Sequence, residues 1–105
     1  MVLLDPTTNK TTPLINNFLG HNLSSLNDVK QHHGTSDIRF TDAQHGSPGP
    51  HPQISPQMYR FEALTGGVQA VADSFYLPNG FKFSPDVKTV YVTDSDRVLV
   101  SMKSI

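Results

Sequence analysis

The chain has 105 residues, 8 basic and 9 acidic side chains, a formal net charge of −1 and no cysteine. The charges are scattered, which argues against nucleic-acid binding and against an anionic-membrane surface as partner. The lack of cysteine excludes a disulfide framework, a thiolate zinc site and a cysteine nucleophile, and leaves the redox compartment open.

Met1-Val2-Leu3-Leu4 runs at once into Asp5-Pro6, so this apolar opening is too short for a signal peptide or a membrane span. A cytoplasmic location is the default expectation. Residues 1–4 and 11–15 read as strands across a turn, and 16–25 as a polar connection containing Gly20. Residues 28–31 open a further strand, and 37–41 return antiparallel across His32-His33-Gly34-Thr35-Ser36. Residues 43–56 hold Pro48, Pro50, Pro52 and Pro56 with Gly46 and Gly49, a density only an exposed loop tolerates. Strands follow at 57–61 and 68–72. Residues 80–83 and 89–93 flank Ser84-Pro85-Asp86-Val87-Lys88, which carries turn chemistry, and 97–102 complete the series. No window keeps apolar residues at helical spacing for more than a turn, so the fold class is all-β.

The chain also repeats itself. Asn27-Asp28-Val29 corresponds to Asn79-Gly80-Phe81, and Phe40-Thr41-Asp42 to Val92-Thr93-Asp94, both at an offset of 52 residues. A second register, at 57, links Leu14-Ile15-Asn16-Asn17-Phe18 with Val71-Ala72-Asp73-Ser74-Phe75. A period near 50 with several strands per unit marks propeller blades. In an antiparallel blade the start of the first strand and the end of the second lie at one edge. Asn27, Asn79, Asp42 and Asp94 are therefore expected on one face, with the 43–56 loop leaving from it. Asp42 is a candidate for orienting substrate or backing up a metal shell, or else a turn former, and Asp94 and Asp96 are weaker candidates of the same kind. His32 and His33 fall at the opposite edge and read as solvated turn residues, and His45 and His51 lie in the proline-rich loop.

The hairpin from Pro78-Asn79-Gly80 to Thr93-Asp94, with Ser25-Leu26-Asn27-Asp28-Val29 and Met58-Tyr59-Arg60-Phe61 before it, resembles the senescence marker protein, gluconolactonase and luciferin-regenerating enzyme family, most of all its fungal lactonase-type members. The resemblance implies a six-bladed β-propeller, of which 105 residues are a partial one of about two four-stranded antiparallel blades: a half blade at 1–18, a complete blade at 26–75 and the start of another at 77–105. It implies a metal-dependent lactonase hydrolysing a lactone or cyclic ester, with a divalent cation as cofactor, calcium first and magnesium, zinc or manganese as alternatives.

By the same resemblance Asn79 is a metal ligand, its amide oxygen being a hard neutral donor. Asn27 is a substrate-binding residue beside the metal, although Ser25 stands where family members often carry a basic residue. Read from the residues alone, either asparagine can instead be a turn former. The family's remaining ligands, a glutamate from an N-terminal blade and an aspartate that serves as general base, have no counterpart here. The expectation is thus a weakly active or inactive piece of a hydrolase, with a non-catalytic propeller remnant or interaction module as the alternative. Self-association through exposed blade edges is expected as well.

Overall fold

The computed structural model describes residues 1–43 and 55–95, together with the backbone of a last strand, Val100–Ser104. Most of the proline-rich loop, with His45 and His51, and also Asp96 and Arg97, lies outside the described residues.

Among the described residues every element is a strand, and every pairing is antiparallel. β1 (Val2–Asp5) pairs with β2 (Lys10–Pro13), and a short hairpin of β3 (Asn17–Phe18) and β4 (His21–Asn22) follows. β5 (Leu26–Gln31), β6 (Ile38–Asp42), β7 (Gln57–Glu62) and β8 (Gly67–Ala72) form a four-stranded meander. β9 (Pro78–Phe83), β10 (Val90–Ser95) and β11 (Val100–Ser104) form a three-stranded one. The two meanders are the blades of a partial β-propeller, and they meet through their first strands, β5 against β9.

Alternation explains why these sequences become sheets stacked face to face. Along β10, Val90, Val92 and Asp94 are buried while Tyr91 is exposed, the period-2 pattern that gives a strand one inward face. Met58, Phe75, Phe81, Val90 and Val92 make the core between the blades, joined by Val71, Ala72 and Phe83. A second core, of Ile15, Phe40, Tyr59 and Phe61, packs the N-terminal hairpins onto the first meander. Each large apolar side chain buried in this way contributes about 1.5–3 kcal/mol.

Three expectations change. The 16–25 connection contains the β3–β4 hairpin, turned by Leu19 and Gly20, both at positive φ (51° and 80°), as a two-residue hairpin turn of this hand requires. A leucine in the first of those positions hides the turn from a reading of the sequence. Asn27 and Asn79 lie inside β5 and β9, not ahead of them. And His32 is not a solvated turn residue. Its Nδ1 accepts from the Gly34 and Thr35 N–H groups at 3.1 and 3.2 Å, which leaves Nε2–H to donate to the Val87 carbonyl of the next blade at 3.2 Å. Its ring also meets Phe83 edge-on at 5.0 Å. His33 is exposed.

Candidate functional site

The edge that carries the candidate residues is built from two equivalent β-bulges. On β5, Leu26 pairs with Asp42 and Val29 with Phe40, so Asn27 and Asp28 together face the single residue Thr41. On β9, Pro78 pairs with Asp94 and Phe81 with Val92, so Asn79 and Gly80 together face Thr93. The two bulges are 52 residues apart, as the repeat requires. An extra residue in one strand breaks the ladder locally and re-aims side chains, a device common beside active sites. Neither Asn79 nor Gly80 has a positive φ, so Asn79-Gly80 is bulged strand and not a left-handed turn.

The bulges leave backbone groups without ladder partners, and side chains take them up. The Thr41 hydroxyl accepts from the Asp28 N–H at 3.2 Å and donates to the Asn79 carbonyl of the next blade at 2.9 Å. Asp28 Oδ2 accepts from the Phe81 N–H at 3.0 Å, also across the blades, and pairs with Lys30 at 3.3 Å. Thr93 donates to the Gly80 carbonyl at 3.0 Å. Asn79 is thereby fixed on both sides, at its own carbonyl and at the N–H two residues on.

Asp42 and Asp94 have the same task in their two blades. Asp42 is fully buried, and its oxygens accept from the Ser24 and Ser25 N–H groups at 2.9 and 2.8 Å. Asp94 accepts from Tyr76 at 3.1 Å and from Leu77 at 2.7 Å. Each carboxylate pegs the chain as it enters the first strand, by charge-assisted bonds of the kind that cap orphan N–H groups. Both oxygens of Asp42, the expected substrate contact, are engaged by the Ser24 and Ser25 N–H groups ahead of Leu26 and Asn27.

Asn27 is exposed and Asn79 half-buried, and neither side-chain amide hydrogen-bonds to another described residue. Tyr59, behind Asp42, is fully buried with its hydroxyl unpartnered among the described residues. Burial, and secondarily the charge of Asp42, pushes that hydroxyl up to about 12. At the far edge Asp37 is buried and pairs with Arg60 at 2.8 Å.

Among the described residues no three His, Cys, Asp or Glu side chains converge on a point that a metal ion could fill. The Asn79 amide oxygen is a hard donor that no other described residue engages, so it fits one position in an oxygen shell. Calcium takes six to eight oxygens, and the described residues do not make such a shell by themselves. Thr41, Asp28 and His32 were not among the expected site residues. The repeated Thr-Asp pairs and the Leu26-Asn27-Asp28 motif were the only signals pointing to the first two.

The family model described as SMP-30/Gluconolactonase/LRE-like region matches residues 1–104. Lactonohydrolase oryL of Aspergillus oryzae is 44% identical over 96 residues, which cover 88% of this chain and 22% of that protein. Lactonohydrolase oryH of the same fungus is 46% identical over 52 residues, covering 50% of this chain and 11% of that protein. The chain therefore spans about a fifth or less of the curated relatives it matches. No solved structure matches it at comparable significance.

Proposed function

Because the chain belongs to the SMP-30/gluconolactonase/LRE-like family, we propose that it supplies the asparagine-bearing edge of a hydrolase acting on a lactone or related cyclic ester. The observation that carries this reading is the pair of equivalent bulges, each presenting an asparagine amide that hydrogen-bonds to no other described residue. Asn79 offers its oxygen as one ligand to a divalent cation, calcium before magnesium, zinc or manganese. Asn27, more exposed, hydrogen-bonds the ring or carbonyl oxygen of the lactone and orients it. The chemistry a bound cation supplies is polarisation of the ester carbonyl. Of the carboxylates at this edge, Asp28, Asp42 and Asp94 are tied to backbone N–H groups, so the proton of the attacking water goes to a group other than these. Exposed Val2, Leu3, Leu4 and Tyr91 further support self-association of the 105-residue chain, which sedimentation would read as mass above that of a monomer.

The test is turnover of gluconolactone and dihydrocoumarin with and without chelator. The purified 105-residue chain is expected to be nearly inactive in millimolar calcium. In the longer lactonohydrolases, alanine at the position aligned with Asn79 should lower cation affinity by at least the roughly 10- to 100-fold typical of losing an outer-shell partner of a ligand, and turnover with it, while alanine at that aligned with Asn27 should mainly raise KM. Wild-type behaviour of the Asn79-equivalent variant would overturn the reading and favour a non-catalytic module. Chelator-sensitive turnover by the 105 residues alone would overturn the assignment of the proton to a group elsewhere.

A further inference from the structure

We propose that Thr41 is a positioning residue of this edge, coupling the Asn27 bulge to the Asn79 bulge through its hydroxyl. The inference rests on the reading of Asn79 as a cation ligand and extends it to a side chain that touches neither cation nor lactone.

A hydroxyl has one proton to give and two lone pairs to receive. In Thr41 it receives the Asp28 N–H of its own blade, at 3.2 Å, and gives its proton to the Asn79 carbonyl of the next, at 2.9 Å. Both are groups that the bulges expel from the ladders, and Thr41 is fully buried, so water does not replace it. Thr93, the equivalent residue 52 positions on, donates instead within its own blade, to Gly80. With the Asn79 carbonyl fixed by Thr41 and the Phe81 N–H fixed by Asp28, the peptide planes on either side of Gly80 have little freedom, and the direction of the Asn79 amide relative to Asn27 follows from them. Deleting the hydroxyl takes the partner from a part-buried donor in one bulge and from a part-buried acceptor in the other, and both bulges relax at once.

The experiment uses Mn²⁺ alone as probe on the 15N-labelled 105-residue chain, reading paramagnetic broadening of the Asn27 and Asn79 side-chain amides. In the wild type both resonances should broaden together at one Mn²⁺ concentration. Thr41→Val, with its dispersed spectrum intact, should need about 10-fold more Mn²⁺ for half-broadening of Asn79 and should separate the two titrations. Thr41→Ser, which keeps the hydroxyl, should titrate as wild type. Asn79→Ala fixes which claim fails: if it leaves the broadening at Asn27 unchanged, the ligand reading itself falls. If Asn79→Ala abolishes that broadening while Thr41→Val, though less stable, titrates as wild type, Thr41 is only a structural residue and the inference is overturned. Should Thr41→Val unfold, Thr41→Ser still decides, because a folded Ser variant with weakened broadening shows that the hydroxyl is not what couples the bulges.

Discussion

Replacing Asp42 by asparagine distinguishes a side chain that serves the fold from one that serves a substrate. The carboxylate is fully buried and takes two short N–H bonds, from Ser24 at 2.9 Å and from Ser25 at 2.8 Å. Asparagine keeps one acceptor oxygen and turns an NH₂ group toward the second N–H, so one bond is lost, the other loses its charge, and two donors face each other at a fully buried side chain. Hydrogen bonds to charged groups are worth about 1.5–3 kcal/mol, and a stranded buried donor costs about 1–3 kcal/mol. The expected loss is therefore about 3 kcal/mol. With a urea dependence of about 2 kcal/mol per molar for a chain of this size, the unfolding midpoint should fall by roughly 1.5 M. The assay is urea unfolding followed by tyrosine fluorescence and far-ultraviolet dichroism. Asp94→Asn, made in parallel, should lose a similar amount, because its carboxylate holds Tyr76 and Leu77 in the same way. An Asp42→Asn chain that unfolds with the wild-type midpoint would refute the peg and return Asp42 to the list of groups free to meet a substrate.

Val87 has φ 54°, a conformation in which a β-branched side chain is strained by about 1–2 kcal/mol. Val87→Asn should raise the melting temperature by several degrees while preserving the His32 contact, and a fall in melting temperature would show that the valine side chain contributes more than the strain costs. Tyr59→Phe removes a buried hydroxyl without a partner among the described residues, and calorimetry should find the variant equal to the wild type or up to about 1 kcal/mol more stable. The same tyrosine governs alkaline behaviour. It ionises near 10 when unfolded and near 12 when folded, so its contribution is full below pH 10 and is lost as pH rises toward 12, up to about 3 kcal/mol. Melts across that window should show a steeper decline in the wild type than in Tyr59→Phe, and equal slopes would refute the assignment. His32→Ala removes the bond to Val87 and the edge contact with Phe83, for an expected loss of about 1–2 kcal/mol measurable by urea unfolding.

Much of the architecture could be read from the chain because the repeat is written in residues that each blade needs for itself. The aspartates of Thr41-Asp42 and Thr93-Asp94 recur because each peg closes its own blade, and a within-repeat constraint leaves a trace at a fixed offset. The apolar, strand-favouring run of Val90, Tyr91 and Val92 marked its strand in the same direct way. The bulges were not legible, since a bulge is a mismatch in count between two strands and no single residue announces it. Two of the contacts that cross between blades, Asp28 to Phe81 and His32 to Val87, were hidden for a related reason. Asp28 has glycine as its counterpart at position 80, and Gly34, on which His32 depends, has Asp86, so neither junction contact recurs and no periodicity betrays it. Asn27 and Asn79 were singled out through family resemblance, and what the structure adds is the β-bulge that each of them occupies.

The two blades touch polar groups at both ends of their shared seam: Thr41 and Asp28 near the asparagines, and His32 against Val87 at the other end. From Asp28 to His32 is four residues of extended chain, or about 13 Å. Two fastenings that far apart resist rotation in a way that one cannot, because a blade held at a single point can swing about it and a blade held at two can only move as a whole. The His32 ring is in effect a hinge stop. Slackening it changes the angle between the blades, and the opposite end of the seam sweeps through that angle with the full length of the strand as its lever arm.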